Sequence, residues 1–284
     1  MLIKDYLNDR IETIFDLEKF KSKMTEKRSR RSFLRSTALA GIAAGLPAGL
    51  QALEIKPEEQ YLEPKGLTVL FQGDSITDGK HGRDTDPNHI MGHGYAFSIA
   101  SRWGADFPSA DLIFYNKGIS GNRVSQLEAR WETDCLNFKP DLLSILVGIN
   151  DVAKMLSEPV TKPEDFQAFE DTYRKIISQS IAQNPNLILV LCLPFIAAVG
   201  KVQKRLNDYE TLVEKLSSII RKLAIEFNAI LVDFQLAFKN APKSVPPAYW
   251  IWDGIHPTVA GHELMTRVWL KQVSKKLKYL KKYA

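Results

Sequence analysis

The chain is 284 residues long, 45% hydrophobic and 25% charged, large and apolar enough to bury one sizeable core. Its net charge of +5 sits at the ends: the first 35 residues carry +4 and the six lysines from Lys271 to Lys282 meet no acid, which leaves the body from 36 to 270 at −5. A nucleic-acid-binding domain concentrates positive charge on its folded surface, so this distribution argues against one.

The chain opens on a leader, 1–52. Ser29-Arg30-Arg31-Ser32-Phe33-Leu34-Arg35 precedes a weakly apolar, Ala/Gly-rich run from Thr37 to Leu50. That run is short and contains Pro47, so it makes a poor membrane span and a good export signal. The paired arginines followed by Phe-Leu resemble a twin-arginine signal peptide, which implies an export machinery as partner and a periplasmic or secreted mature protein. A cut after Ala52 puts Leu50 and Ala52 at the specificity positions. Translation is expected to start at Met24, because the mixed-charge, helix-prone stretch from Ile11 to Phe20 is foreign to a signal. A basic helix lying on the protein is the alternative. Residues 53–66 read as a polar approach to the domain, 67–284.

From Leu67 onward, short apolar runs alternate with longer amphipathic segments. The strands are expected at Leu67 to Phe71, Asp111 to Tyr115, Leu142 to Val147, Leu187 to Leu193 and Ile230 to Phe234. Helices are expected at Tyr95 to Trp103, Val124 to Phe138, Phe166 to Gln183, Leu206 to Phe227 and Thr258 to Leu280. Strict alternation means right-handed βαβ units with helices on both sheet faces. The expected architecture is a three-layer α/β/α, flavodoxin-like fold whose five-stranded parallel sheet runs 2-1-3-4-5. Cys135 falls in a helical pattern and Cys192 in a strand, which predicts two separate buried thiols.

Four short stretches follow strand ends, where open α/β sheets bind their ligands. Gly73-Asp74-Ser75 with Gly79 follows the first strand, and Asn116-Lys117-Gly118-Ile119-Ser120-Gly121-Asn122 the second. Gly148-Ile149-Asn150-Asp151 follows the third, and Asp253-Gly254-Ile255-His256-Pro257 lies beyond the fifth. Each alone reads as turn or cap chemistry. Together, in this order, they resemble the four blocks of the SGNH hydrolases, or GDSL esterases, with Ile76 where the alternative name has leucine. The match covers nearly the whole mature chain. It implies a hydrolase whose serine is Ser75, whose second-block glycine is Gly121, with Gly118 as the other choice, and whose later blocks supply Asn150, Asp253 and His256.

Chemically, Ser75 suits attack on an ester carbonyl, with His256 taking its proton and Asp253 accepting from the other ring nitrogen. The Ser75 and Gly121 N–H groups and the Asn150 amide suit an oxyanion hole. Pro257 is expected at the first position of a helix with His256 at its cap, where the dipole keeps the base neutral.

Long loops leave strand ends at His81 to Gly94 and Lys239 to Ile255, and both are expected to shape the pocket. Tyr249, Trp250 and Trp252 on the second suit stacking against sugar rings, hence deacetylation of a glycan, with at least one of the three packing the loop onto the body. A lysophospholipase or thioesterase is the alternative. His81, Asp84, Asp86, His89 and His93 on the first raise metal-assisted phosphodiester hydrolysis, but their spacing matches no metal motif, so no metal or cofactor is expected. A non-catalytic glycan-binding protein is the remaining alternative, and it gives no reason for a serine, a base and an oxyanion hole together. The last helix ends in a lysine-rich stretch with one solvated face.

Overall fold

The structure, a computed structural model, describes residues 65–283 apart from Thr85 and Asn88. The expected leader, its twin-arginine motif, the Met24 start, the cleavage after Ala52 and most of the approach segment lie outside the described residues. In chain order the elements are β1 (Thr68–Gly73), α1 (Ser75–Asp78), α2 (Tyr95–Asp106), β2 (Ile113–Asn116), α3 (Val124–Ala129), α4 (Trp131–Asp134), β3 (Leu142–Leu146), α5 (Ile149–Ser157) and α6 (Pro163–Gln183). Then come β4 (Ile188–Cys192), α7 (Gly200–Gln203), α8 (Leu206–Glu226), β5 (Ile230–Val232), α9 (Phe234–Lys239) and α10 (Val259–Ser274).

All pairings are parallel and the sheet order is β2-β1-β3-β4-β5. The central strands β1, β3 and β4 are buried nearly end to end, as strands covered on both faces must be, whereas the edge strand β2 is partly exposed. Helices α2, α9 and α10 pack together on one face, and α3, α5, α6 and α8 on the other. The first of these layers is centred on Trp269 of α10, whose ring meets Phe71 of β1 and Trp103 of α2, and whose indole N–H donates to Ser144 Oγ at 3.0 Å. Among the described residues no helix is long and apolar enough to cross a membrane.

Several boundaries differ from the periodicity. The predicted helix from Val124 to Phe138 breaks at Arg130 (φ −118°, ψ 14°) into α3 and α4, followed by a 3₁₀ turn at Leu136–Phe138. The fifth strand ends at Val232 because Asp233 caps α9, its carboxylate accepting the Leu236 N–H at 2.8 Å. The last helix stops at Ser274 and a separate 3₁₀ turn spans Lys278–Tyr283. Cys135 and Cys192 are buried free thiols, the first beside Ser180 and the second beside Ser144.

Candidate active site

Gly73 ends β1 where only glycine fits: a Cβ there would stand 2.3 Å from the Leu146 carbonyl oxygen on the neighbouring strand. Asp74 then caps α1, its Oδ1 accepting the Ile76 N–H at 3.0 Å, so Ser75 occupies the first helical position. Its N–H has no partner among the described residues, as expected at a helix start. Gly79 closes the turn in the left-handed region (φ 50°). The Asp74 carboxyl is buried, with Oδ2 unpartnered, and burial pushes its pKa up to about 7 against the Ile76 hydrogen bond and the attraction of His256.

The loop before α10 brings a histidine to this serine. Ser75 Oγ lies 2.9 Å from His256 Nε2, and His256 Nδ1 lies 2.8 Å from Asp253 Oδ2. Asp253 Oδ1 accepts the backbone N–H groups of Ile255 (2.9 Å) and His256 (2.7 Å), so this one carboxylate shapes the loop and orients the ring together. Burial acts to raise the Asp253 pKa, but these hydrogen bonds outweigh it and hold the carboxyl below its usual range. Gly254 (φ 96°) packs its Cα against the Val199 carbonyl, and its own carbonyl accepts the Ala197 N–H at 2.9 Å, which ties the loop to the segment after β4.

His256 does not cap a helix. Pro257 is drawn into an antiparallel bridge with Ile251, and α10 opens two residues later at Val259. Thr258 is the cap, its hydroxyl accepting the Gly261 N–H at 3.2 Å and donating to the Tyr249 carbonyl at 2.7 Å. The expectation that the helix dipole sets the His256 base is therefore corrected: Asp253 sets its orientation. Nearby His262 accepts the Tyr95 N–H at Nδ1 (3.1 Å), and burial, with His93 and His256 beside it, lowers its pKa to about 4. It adds no positive charge next to His256.

The second and third blocks are joined by a hydrogen bond between Asn150 and Asn122. Gly118 cannot serve as a donor to substrate, since its N–H is taken by Asn116 Oδ1 at 3.0 Å and a Cβ on it would stand 2.4 Å from the Asp78 nitrogen. Gly121 (φ 82°) is exposed with open space around it, and its N–H has no partner among the described residues. Gly148, at φ 132°, caps α5, which places Asn150 in the first turn. One Asn150 amide N–H donates to the Asn122 carbonyl at 3.2 Å, which fixes the side chain and leaves its second N–H for another acceptor. Asp151, the next residue, accepts the Val124 N–H that opens α3. Burial raises its pKa to about 7 despite that bond.

Two residues that the sequence reading passed over hold this loop. Arg130, only 14% exposed at its side chain, donates to Asn122 Oδ1 (2.9 Å), the Lys117 carbonyl (2.8 Å) and Asp134 Oδ2 (3.1 Å). The helix break at Arg130 lies where its guanidinium turns back to these acceptors. Asp78 accepts the Ser120 N–H at 3.1 Å and a two-pronged contact from Arg83 at 3.0 and 3.1 Å. No spacing rule flags either, because the backbone groups of Lys117 and Ser120 that they hold are brought to them by the topology.

The three aromatic candidates separate. Trp252 is 63% exposed and its ring faces His256 at 6.4 Å with 26° between planes. Tyr249 is exposed too, while Trp250 is the member that packs the loop onto the core, meeting Tyr249 edge-on at 4.9 Å. In the loop after α1, His81 turns to Asp78 (2.9 Å) and His89 to Asp86 (2.8 Å). Among the described residues no three His, Cys, Asp or Glu side chains are grouped to hold a metal ion.

Comparison with known proteins places this geometry. The GDSL-like lipase/acylhydrolase family matches residues 71–264. An acetylxylan esterase of Geobacillus stearothermophilus is 33% identical over 212 residues, covering 73% of this chain and 94% of that protein. Its crystal structure aligns with a TM-score of 0.65 over 74% of this chain and 95% of that one. A GDSL-lipase-like protein of Parabacteroides merdae aligns with a TM-score of 0.69 at 36% identity, over 74% of this chain and 96% of its own. A lipoprotein of Bacillus subtilis, YqeF, is 28% identical over 151 residues, covering 48% of this chain and 60% of that protein. Solved variants of the Geobacillus esterase described as catalytic lie at a serine, an aspartate and a histidine three residues beyond that aspartate.

Proposed function

Since this chain belongs to the GDSL-like lipase/acylhydrolase family and is a carboxylic ester hydrolase, we propose that it removes acetyl groups from a carbohydrate through a Ser75 acyl-enzyme. The observation that carries the reading is the continuous hydrogen-bonded line from Ser75 Oγ through His256 to Asp253, at 2.9 and 2.8 Å. His256 Nε2 takes the hydroxyl proton as Ser75 Oγ bonds to the acetyl carbon. Asp253 holds Nδ1–H and stabilises the imidazolium that results. The carbonyl oxygen, now an oxyanion, is met by the free N–H groups of Ser75 and Gly121 and the second amide N–H of Asn150. His256 then gives that proton to the sugar oxygen as its bond to the acetyl carbon breaks, and the sugar leaves as an alcohol. Water, deprotonated by the same ring, attacks the acetyl-enzyme, and acetate leaves with Ser75 restored.

The acetyl and carbohydrate parts are supported by the acetylxylan esterase relative and by exposed Trp252 at the edge of the site. Trp252 immediately precedes Asp253, and the Geobacillus enzyme likewise has a tryptophan directly before its catalytic aspartate, a position at which it has also been varied. Export through the twin-arginine-type leader to the periplasm or beyond is part of the same proposal, supported by the leader sequence and by a lipoprotein among the relatives. The test is a panel of acyl esters of rising chain length alongside acetylated xylo-oligosaccharides. Turnover highest on acetyl esters and on the acetylated saccharide is expected. A preference for long acyl chains overturns the reading in favour of a lysophospholipase or thioesterase.

A further inference from the structure

Outboard of the serine turn, at the same end of the sheet, lies a cleft of about 520 Å³ that the mechanism above does not use. Gly118 and Ile119 form one wall, so it borders the loop that carries Gly121. Its floor is aromatic: Tyr115, at the end of β2, meets Phe138 edge-on at 4.6 Å between ring centroids. Lys117 stands over that floor, its Nζ 4.5 Å from the Phe138 centroid. Neither the Lys117 ammonium nor the Tyr115 hydroxyl has a hydrogen-bond partner or counter-ion among the described residues. The other charges lining the cleft are engaged, Arg83 with Asp78, Asp134 with Arg130, and Asp84 with the Asp86 N–H.

An aromatic floor with a few unspent polar groups at its rim is the composition of a small-molecule site. Flat rings accept the apolar face of a pyranose, and a free ammonium and a free hydroxyl reach its ring-edge oxygens. The location selects the occupant. Tyr115 pairs with Leu70, three residues before the end of β1, so the aromatic floor lies one strand across and ~10 Å down the sheet from the Ser75 turn, a reach on the scale of about two to three sugar rings.

Resting on the carbohydrate esterase reading, we propose that this cleft is a second saccharide subsite, which grips a sugar about two to three rings along the chain whose acetyl group lies at Ser75. Tyr115 stacks the ring, and Lys117, held over Phe138, donates to its oxygens. The consequence is a preference for oligosaccharides over single acetylated sugars.

Two variants test it, Tyr115→Ala and Lys117→Met, the second keeping the apolar stem over Phe138. Titration calorimetry with unacetylated xylotetraose reads binding without any turnover. Wild type is expected to bind it, and each variant that melts as wild type does is expected to bind about 10-fold more weakly. In parallel, kcat/KM on acetylated xylose, xylotriose and xylotetraose is expected to rise with length for wild type and to stay flat for the variants. Equal length dependence in wild type and variants, or unchanged xylotetraose affinity, overturns the subsite. The distinction from the esterase reading is direct: failure of wild type to hydrolyse any acetyl ester refutes that reading, while acetyl turnover with no length dependence refutes only the subsite.

Discussion

Replacing Asp253 by asparagine separates orientation of the base from stability of the loop. The two backbone N–H groups of Ile255 and His256 both donate to Oδ1, while the ring of His256 meets only Oδ2. An asparagine that keeps its oxygen at the Oδ1 position retains both backbone bonds, so the loop is expected to hold and stability to change by less than about 1 kcal/mol. Its NH₂ then faces Nδ1, which must become an acceptor. The ring proton moves to Nε2 and points at Ser75 Oγ, so the imidazole cannot take the serine proton. The same tautomer trap in serine proteases costs about 10⁴ in kcat, or about 5.5 kcal/mol of barrier at 1.36 kcal/mol per decade. The assay is steady-state hydrolysis of an alkyl acetate, whose poor leaving group needs the full acid–base cycle, with a thermal melt of the same sample. A variant that melts normally yet keeps activity within about 10-fold of wild type refutes the assignment of Asp253 as the orienting acid.

Three further outcomes follow from the same geometry. Asn150→Ala is expected to lower kcat by about 10²–10³ with little change in KM, and a loss confined to KM would remove Asn150 from the oxyanion hole. Arg130→Lys, whose single ammonium cannot span the four acceptors the guanidinium serves, is expected to cost up to about 10²-fold in kcat at constant KM, because it loosens the Gly121 loop; lost stability with unchanged kcat would leave Arg130 a purely structural role. Asp151 titrates at about 7 in the folded chain against about 3.9 unfolded. The native state therefore holds more protons than the unfolded one between these values, and this carboxyl lowers stability progressively as pH rises from about 4 to 7. Asp151→Asn, whose amide oxygen still accepts from Val124, is expected to make the fall of the melting temperature across that window shallower, leaving the part due to Asp74, which burial also raises to about 7, and parallel wild-type and variant curves would contradict it.

The fold was legible because its central strands are buried on both faces and so read as largely apolar runs, Ile188 to Cys192 most clearly. The site blocks were legible for a related reason: chain reversals at strand ends demand particular residues, and Gly73 and Gly148 mark the turns that put Ser75 and Asn150 where they stand. What escaped was long-range. The break at Arg130 has no proline or glycine to announce it, and the side chain's acceptors on Lys117 and Asn122 lie in the loop before α3. Pro257 misled in the other direction, because its fitness for a first helical turn was outweighed by the bridge to Ile251 and by Thr258, the better cap. Of the three aromatics, sequence could not say which packs inward; that depends on the close approach of the Trp250 carbonyl to Gly261, where a Cβ would stand 2.1 Å away.

The central claim is that Ser75 is the nucleophile, and covalent labelling tests it most directly. Wild type treated with a fluorophosphonate is expected to gain the mass of one adduct, mapped to Ser75, and to lose its acetyl esterase activity in step. Ser75→Ala, melting as wild type does, is expected to take no label and to show no serine-dependent turnover. Labelling at another residue, or an alanine variant that hydrolyses acetyl esters at the wild-type rate, would contradict the account.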